Sequence, residues 1–177
     1  MSELMKADVE GGTYFVTLTV VSWVDVFIRP AYCALVFESL EFCRKNKGLE
    51  VFEYALMPSH LHMIVRRKHG LLSDTLRDFK SFTAKKLLAA IAGNERESRR
   101  EWMMGLFRDH GRRSAQNTEF MFWQKTSHPE LIQTSAFYLQ KAQYIRNNPV
   151  VMGLVTEPEH YAWSSAHPQA PLATDAA

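Results

Sequence analysis

His60 and His62 stand two apart in Met57-Pro58-Ser59-His60-Leu61-His62-Met63-Ile64-Val65. On a strand, residues i and i+2 project from the same face, so the two imidazoles point together. Histidine is the commonest nitrogen ligand, and two convergent rings supply half of a divalent-metal site. An isolated H-x-H fits two metal-free histidines on a polar sheet face better than a metal site. The Pro-Ser corner directly ahead, where a cleft can form, favours the ligand reading. A second set of polar groups lies about eighty residues downstream, in FYLQKAQYIRNNPVVMGLV. At about 100° per residue, Tyr138, Ala142 and Ile145 share one helical face, and Phe137, Lys141, Tyr144 and Asn148 share the adjacent one. With the first set packed on a sheet, Tyr144 falls at the border with its hydroxyl free. Asn148, one turn on, can reach the same site. The ordinary alternatives are a tyrosine packed at the core's edge and an asparagine that ends a helix before Pro149.

These side chains need a strand and a helix to hold them, and the sequence supplies both. Thr13–Val21 is β-branched and aromatic, a strand signal. Pro30 opens a helix to about Lys47, which Gly48 closes. The patterns of Leu49–Met57 and His60–Arg67, joined by the short Pro58-Ser59 link, predict an antiparallel hairpin. Ser73 is a good N-cap for a helix to about Ala92, and helical character resumes over Glu97–Arg113. Glu119–Gln124 reads as a short strand, and a last helix runs from about Thr134 to Asn148, stopped by Pro149. The expected fold is α+β: a central antiparallel sheet with helices packed mainly on its faces. At 177 residues the chain suits a single domain over 1–177. Residues 1–12 and 168–177 are expected to be flexible tails, the chain being loose after Trp163.

Composition narrows the class further. An apolar content of 46% with 23% charged residues is ordinary for a globular protein. No run approaches the length of a membrane helix, and MSELMKADVEGG is not expected to be a secretory signal. Cys33 and Cys43, in one predicted helix, read as two reduced thiols, so a cytoplasmic location is expected. Residues 66–113 hold 13 Lys/Arg against 6 Asp/Glu, a local +7 within a chain of net +2. Such a basic middle fits either a polyanion-binding face or a solvated helix pair.

Five motifs in this order resemble a known family: YFVTLTV near the N-terminus, MPSHLH, FWQ followed by HPELI, YIRNNPVVMGLV, and YAWSSA. The chain is similar over about residues 13–166 to the REP-associated tyrosine transposases, single-tyrosine members of the His-hydrophobe-His (HUH) nucleases. The resemblance implies that Tyr144 is the nucleophile and that His60 and His62 bind metal. It implies Asn148 as a further ligand, since some relatives carry a polar ligand one turn after the tyrosine. Mixed nitrogen and oxygen ligation suits manganese at least as well as magnesium, so either ion is expected as sole cofactor. Two-tyrosine relatives carry a second tyrosine two or three residues away; Tyr138, six away, is not in that position.

A phenol with an ordinary pKa near 10 needs activation to attack at neutral pH. By resemblance, attack on DNA gives a 5′-phosphotyrosyl link and a free 3′-hydroxyl, and reversal rejoins DNA without ATP. The expected partner is single-stranded or hairpin DNA with palindromic repeats, on a nucleoid-associated bacterial protein. Arg66, Arg67, Arg77, Lys80, Lys85 and Lys86 are the candidate phosphate contacts. Phe82 or Trp123 could stack bases, although core packing suits both. Lys141 and Arg146 flank the nucleophile, where activation and plain solvent exposure are equally open, and His128 could approach the site. The rival readings are a domesticated repeat-DNA-binding protein without strand transfer and a replication-initiating nuclease. A monomer is expected over a homodimer, because no long apolar stripe is left over.

Overall fold

Alternation of side chains along three strands decides how this chain layers. β1 (Thr13–Thr19), β2 (Leu49–Leu56) and β3 (His60–Arg67) form where β-branched and aromatic residues cluster. The computed structural model describes residues 7–116 and 118–177. In it these strands join a two-residue β4 (Glu130–Leu131) in an antiparallel sheet of order β2-β3-β1-β4. Tyr14, Val16 and Leu18 of β1 and Leu61, Met63 and Val65 of β3 belong to one apolar cluster. α1 (Pro30–Lys47), α2 (Leu72–Ala92) and α3 (Arg100–Arg113) contribute to the same cluster. The opposite face carries a smaller one, where Phe15, Phe52, Ala55, Met57 and Ile64 meet Ala142 and Ile145 of α4 (Ser135–Val151). The fold is α+β, as expected. No helix among the described residues is long and apolar enough to cross a membrane.

The smaller face is the one that matters for chemistry. β1 and β3 pair with Thr17 opposite His62 and Thr19 opposite His60, placing four polar residues in the middle of the sheet. β2 flanks β3 on the other side, with Ala55 opposite His62. A bulge between Val51 and Glu53 inserts one extra residue into β2. As a result Phe52 packs in the α4 cluster and Glu53, paired with Ile64, turns to the same face. Gly48, at φ +64°, lets α1 reverse directly into β2.

Several local expectations are corrected. Glu119–Gln124 is not a regular strand: it follows the β1 edge through a single bridge, Val20 to Trp123. Phe122 and Trp123 are instead committed to an aromatic cluster with Phe27 and Phe107. Pro149 does not stop α4, which continues to Val151. Proline's fixed φ is helical, and near a helix end its missing N–H and ring cost little regular structure. Ser73 does not cap α2; Leu71 holds that position, and the Ser73 N–H donates to the Ala7 carbonyl at 3.1 Å.

The loose tail expected over 168–177 is also corrected. Leu172 is buried in the main core, and both its backbone groups bond the Tyr54 hydroxyl, at 2.9 and 3.0 Å. The Asp175 carboxylate accepts from Val51 N–H at 2.8 Å and pairs with Arg44. With Ser164 bridged to Ala55, this segment covers the free edge of β2 and satisfies its backbone. Within 1–12, Ala7 is buried, and the flexible tail expected over residues 1–6 lies outside the described residues. Tyr54→Phe should strand the Leu172 amide and carbonyl in the core and cost about 1–3 kcal/mol. Denaturant melts would read that loss, together with faster proteolysis after residue 165; unchanged values of both would contradict the docked tail.

Candidate active site

Four aromatic rings form a row across the α4 face of the sheet. Tyr144 meets His62 at 5.2 Å between centroids, His62 meets His60 at 4.6 Å, and His60 meets Trp23 at 5.2 Å. The two histidines project together from β3, as i and i+2 on a strand require. Both are buried, at 6% and 5% exposure. The His60 Nδ1 lies 3.1 Å from the Ser59 hydroxyl, and the His62 Nδ1 lies 2.9 Å from the Thr17 hydroxyl. When Nδ1 carries the proton and donates to these oxygens, the Nε2 lone pairs are left for another partner. The His62 Nε2 is buried with no hydrogen-bond partner among the described residues. So is the Oδ1 of Asn148, one helical turn beyond Tyr144 and itself 9% exposed. Unsatisfied buried groups of this kind are uncommon and call for a reason. A nitrogen lone pair and an amide oxygen are both metal-ligating atoms, so these residues fit a divalent cation. Among the described residues no group of three His, Cys, Asp or Glu gathers as a conventional metal cluster.

Burial also fixes the charge state of the pair. Desolvation lowers His60 to about 4. It lowers His62 to about 3, with the neighbouring His60 and the Lys141 ammonium adding to the effect. Both imidazoles are therefore neutral near pH 7, the form that ligates metal.

Tyr144 owes its position to the rest of α4. Ala142 and Ile145 are buried against the sheet, while Tyr144 stays 49% exposed at the border. Its ring stands edge-on to Phe15 at 5.9 Å. Arg146 clamps the helix to β2 through both oxygens of the buried Glu53, at 3.1 Å for Nε, and Ser165 donates to the same carboxylate. Lys141 bonds Glu130 of β4 at 2.8 Å and lies 4.4 Å above the Phe15 ring, which stacks on His62. Of the two cations flanking Tyr144, Lys141 reaches the site and Arg146 is spent on anchoring. His128 is exposed at φ +42°, next to Ser127, whose carbonyl accepts from Thr17 N–H at 2.9 Å.

Trp23, Thr17, Ser59 and Glu53 are the participants that sequence reasoning missed. Thr17 and Glu53 become visible only through strand register and the bulge. Trp23 and its neighbour Ser22 adopt φ of +55° and +54°, a left-handed conformation that costs non-glycine residues about 1–2 kcal/mol each.

No family model and no curated protein sequence matches the chain. Solved structures do. A REP-associated tyrosine transposase bound to a REP hairpin superposes with a TM-score of 0.64, covering 93% of this chain and 82% of that one at 20% identity. This chain has that transposase's fold. A structure described as a candidate transposase from Deinococcus radiodurans R1 aligns at 15% identity over 83% of this chain and 97% of its own, with a TM-score of 0.47. That second likeness is too distant to add weight.

In this transposase fold the six basic candidates do not converge on the tyrosine. Arg66 shares the histidines' face but lies at the far end of β3, bonded to Glu50 at 2.6 Å. Arg67 donates to the Leu71 carbonyl, and Arg77 pairs with Asp74 and Asp78. Arg77, Lys80, Lys85 and Lys86 ride on α2, whose core residues pack on the opposite face of the sheet. Lys80 is corrected outright: its ammonium holds the Gln124 and Lys125 carbonyls at 2.6 and 2.8 Å, and burial lowers its pKa to about 8. Lys86 lies over the exposed Phe82 ring, whereas Trp123 is buried and donates to Thr83. Leu139, Val151, Met152 and Leu154 are exposed on and just after α4.

The histidine shifts set a pH dependence. Unfolded histidine titrates near 6.5, so between there and about 4 to 3 the unfolded chain binds more protons than the folded one. Stability from the neutral pair is complete above pH 6.5 and is lost as pH falls, with a slope of up to about 1.4 kcal/mol per pH unit for each histidine. Urea midpoints in chelator from pH 7 to 5 should fall steeply for the wild type and more shallowly for the His60→Asn/His62→Asn double variant. Parallel curves would remove the histidines as the cause.

Proposed function

We propose that this protein is a metal-dependent transposase that cleaves and rejoins single-stranded, hairpin-forming repeat DNA through Tyr144. The observation that carries this reading is the assembly of Tyr144, His62 and His60 in one row of rings about 5 Å apart, from segments about eighty residues distant in sequence. The fold shared with a hairpin-bound transposase supports the substrate class.

His60, His62 and Asn148 would hold a divalent cation, magnesium or manganese. When bound, that ion would neutralise a non-bridging oxygen of the scissile phosphate and orient phosphorus. The chain's own residues do the rest. Thr17 and Ser59 keep the imidazoles in one tautomer and orientation. Phe15 and the Arg146–Glu53 clamp hold the Tyr144 ring at the site's edge, where its exposed side meets the strand. The phenolic oxygen attacks phosphorus in line, giving up its proton to solvent. The bond to the 3′ oxygen breaks, and that oxygen leaves as a hydroxyl after taking up a proton. The phosphodiester is conserved as a 5′-phosphotyrosine, so attack by another 3′-hydroxyl rejoins DNA and releases Tyr144. Lys141, near both His62 and Tyr144, contributes positive charge toward the phosphorane.

Incubation with labelled hairpin-bearing single-stranded DNA and manganese should give a denaturation-resistant protein–DNA adduct. Tyr144→Phe should abolish the adduct while retaining DNA binding. A wild type that binds the hairpin tightly yet forms no adduct would leave a repeat-DNA-binding protein as the better description, and an adduct in Tyr144→Phe would displace the nucleophile. Thr17→Val tests the hydrogen bond behind His62: manganese affinity by calorimetry should drop about 10- to 100-fold, and an unchanged affinity would remove Thr17 from the site.

A further inference from the structure

Trp23 ends the row of rings on the side away from Tyr144, and the mechanism above gives it no task. Its indole stands edge-on to His60 at an interplanar angle of 72°, yet 59% of the residue is exposed. A large aromatic left half in water contributes little to the core, so packing does not account for it. Its backbone is nevertheless firmly set. The Trp23 N–H donates to the Val20 carbonyl at 3.0 Å, and Val21 N–H donates to the Phe122 carbonyl at 2.9 Å. The Ser22 hydroxyl lies 2.7 Å from the His110 Nε2 of α3. These bonds hold two consecutive non-glycine residues in the left-handed region. Strain maintained by surrounding structure at a reactive centre points to a positioned group rather than a slack loop.

We propose that Trp23 is a stacking platform for one unpaired base of the DNA strand, the base next to the phosphate that Tyr144 attacks. This assignment rests on the transposase reading and extends it to a residue that positions substrate. A phosphate seated between Tyr144 and the histidines has its neighbouring nucleotide leaving toward one end of the ring row or the other. At one end is Tyr144 on α4; at the other is an exposed indole on a hydrogen-bonded backbone. An indole face accepts any base, because every base presents a π surface, and it takes an unpaired base in preference to a paired one. Next to Ser22 the surface gains polar and cationic character. His110 and Arg113 of α3 line a shallow cleft with Ser22 and Trp102. Glu101 and Asp109 share that cleft, so its charge is mixed and it is no cationic track.

The test measures binding without cleavage. Hairpin oligonucleotides with a single-stranded flank are titrated in chelator by fluorescence anisotropy, each carrying one abasic site at a successive flanking position. For the wild type, one abasic position should weaken binding about tenfold or more. Trp23→Ala should weaken binding of the intact oligonucleotide by about the same factor and should no longer distinguish that abasic position. Trp23→Phe, which keeps a π face, should restore most of the affinity and the position dependence. Equal sensitivity to every abasic position in wild type and Trp23→Ala alike would overturn the proposal. So would a Trp23→Phe variant as weak as Trp23→Ala. Because nothing here requires an adduct, failure of Tyr144 chemistry and failure of Trp23 stacking appear in separate measurements.

Discussion

Ala142 and Ile145 lie flat against Phe15, Ala55 and Ile64, and this small apolar contact is what carries α4 over the middle of the sheet. Its extent sets everything nearby. Wider burial would draw Tyr144 into the core, where a phenol could not meet a DNA strand; less would leave the helix unanchored. The contact is small enough to need help, which the Arg146–Glu53 and Lys141–Glu130 pairs give at the two borders of the helix. Both pairs are partly exposed, so their value lies more in orientation than in stability.

The two faces of the sheet are built for different work. One carries nearly all of the apolar core, with α1, α2 and α3 stacked on it. The other keeps a polar strip of Thr17, Thr19, His60 and His62 beside the α4 patch, and all but the half-buried Thr17 are buried although their groups are not all satisfied. Such a strip is tolerable only on a scaffold whose stability comes from elsewhere. The basic stretch of the sequence belongs chiefly to the first face, which separates overall charge from the ring row.

Regular periodicity was the legible part of this chain. β1, β2, β3 and α1 lie within a residue or two of where their patterns put them, and the H-x-H spacing correctly put both imidazoles on one face. The helical wheel likewise separated Ala142 and Ile145 from Tyr144. What escaped depends on tertiary pairing. Glu130–Leu131 is a strand only because the β1 edge is adjacent, and Pro149 stays in α4, where it is buried beside Asn148. Leu172 and Asp175 sit in a stretch of small polar and alanine residues that reads as a loose end, yet the open edge of β2 recruits them. Lys80 shows the same limit for charge, since a lysine count cannot tell a phosphate contact from a lysine tethering two carbonyls.

The single extra residue in β2 makes this architecture unequally tolerant of changes in length. Before the bulge, Val51 faces α1; after it, Tyr54 does, and between them Phe52 and Glu53 both serve α4. Removing Phe52 or Glu53 restores strict alternation and leaves Val51 and Tyr54 on their side, so the loss falls on the α4 face. Loss of Glu53 takes the carboxylate from Arg146 and loss of Phe52 takes a ring from the α4 cluster, so a one-codon deletion reaches α4 through the sheet. An equal deletion among residues 114–116, which lie outside any helix or strand, alters no register. Sequence length is therefore a tightly held variable in the hairpin and a free one in the loop.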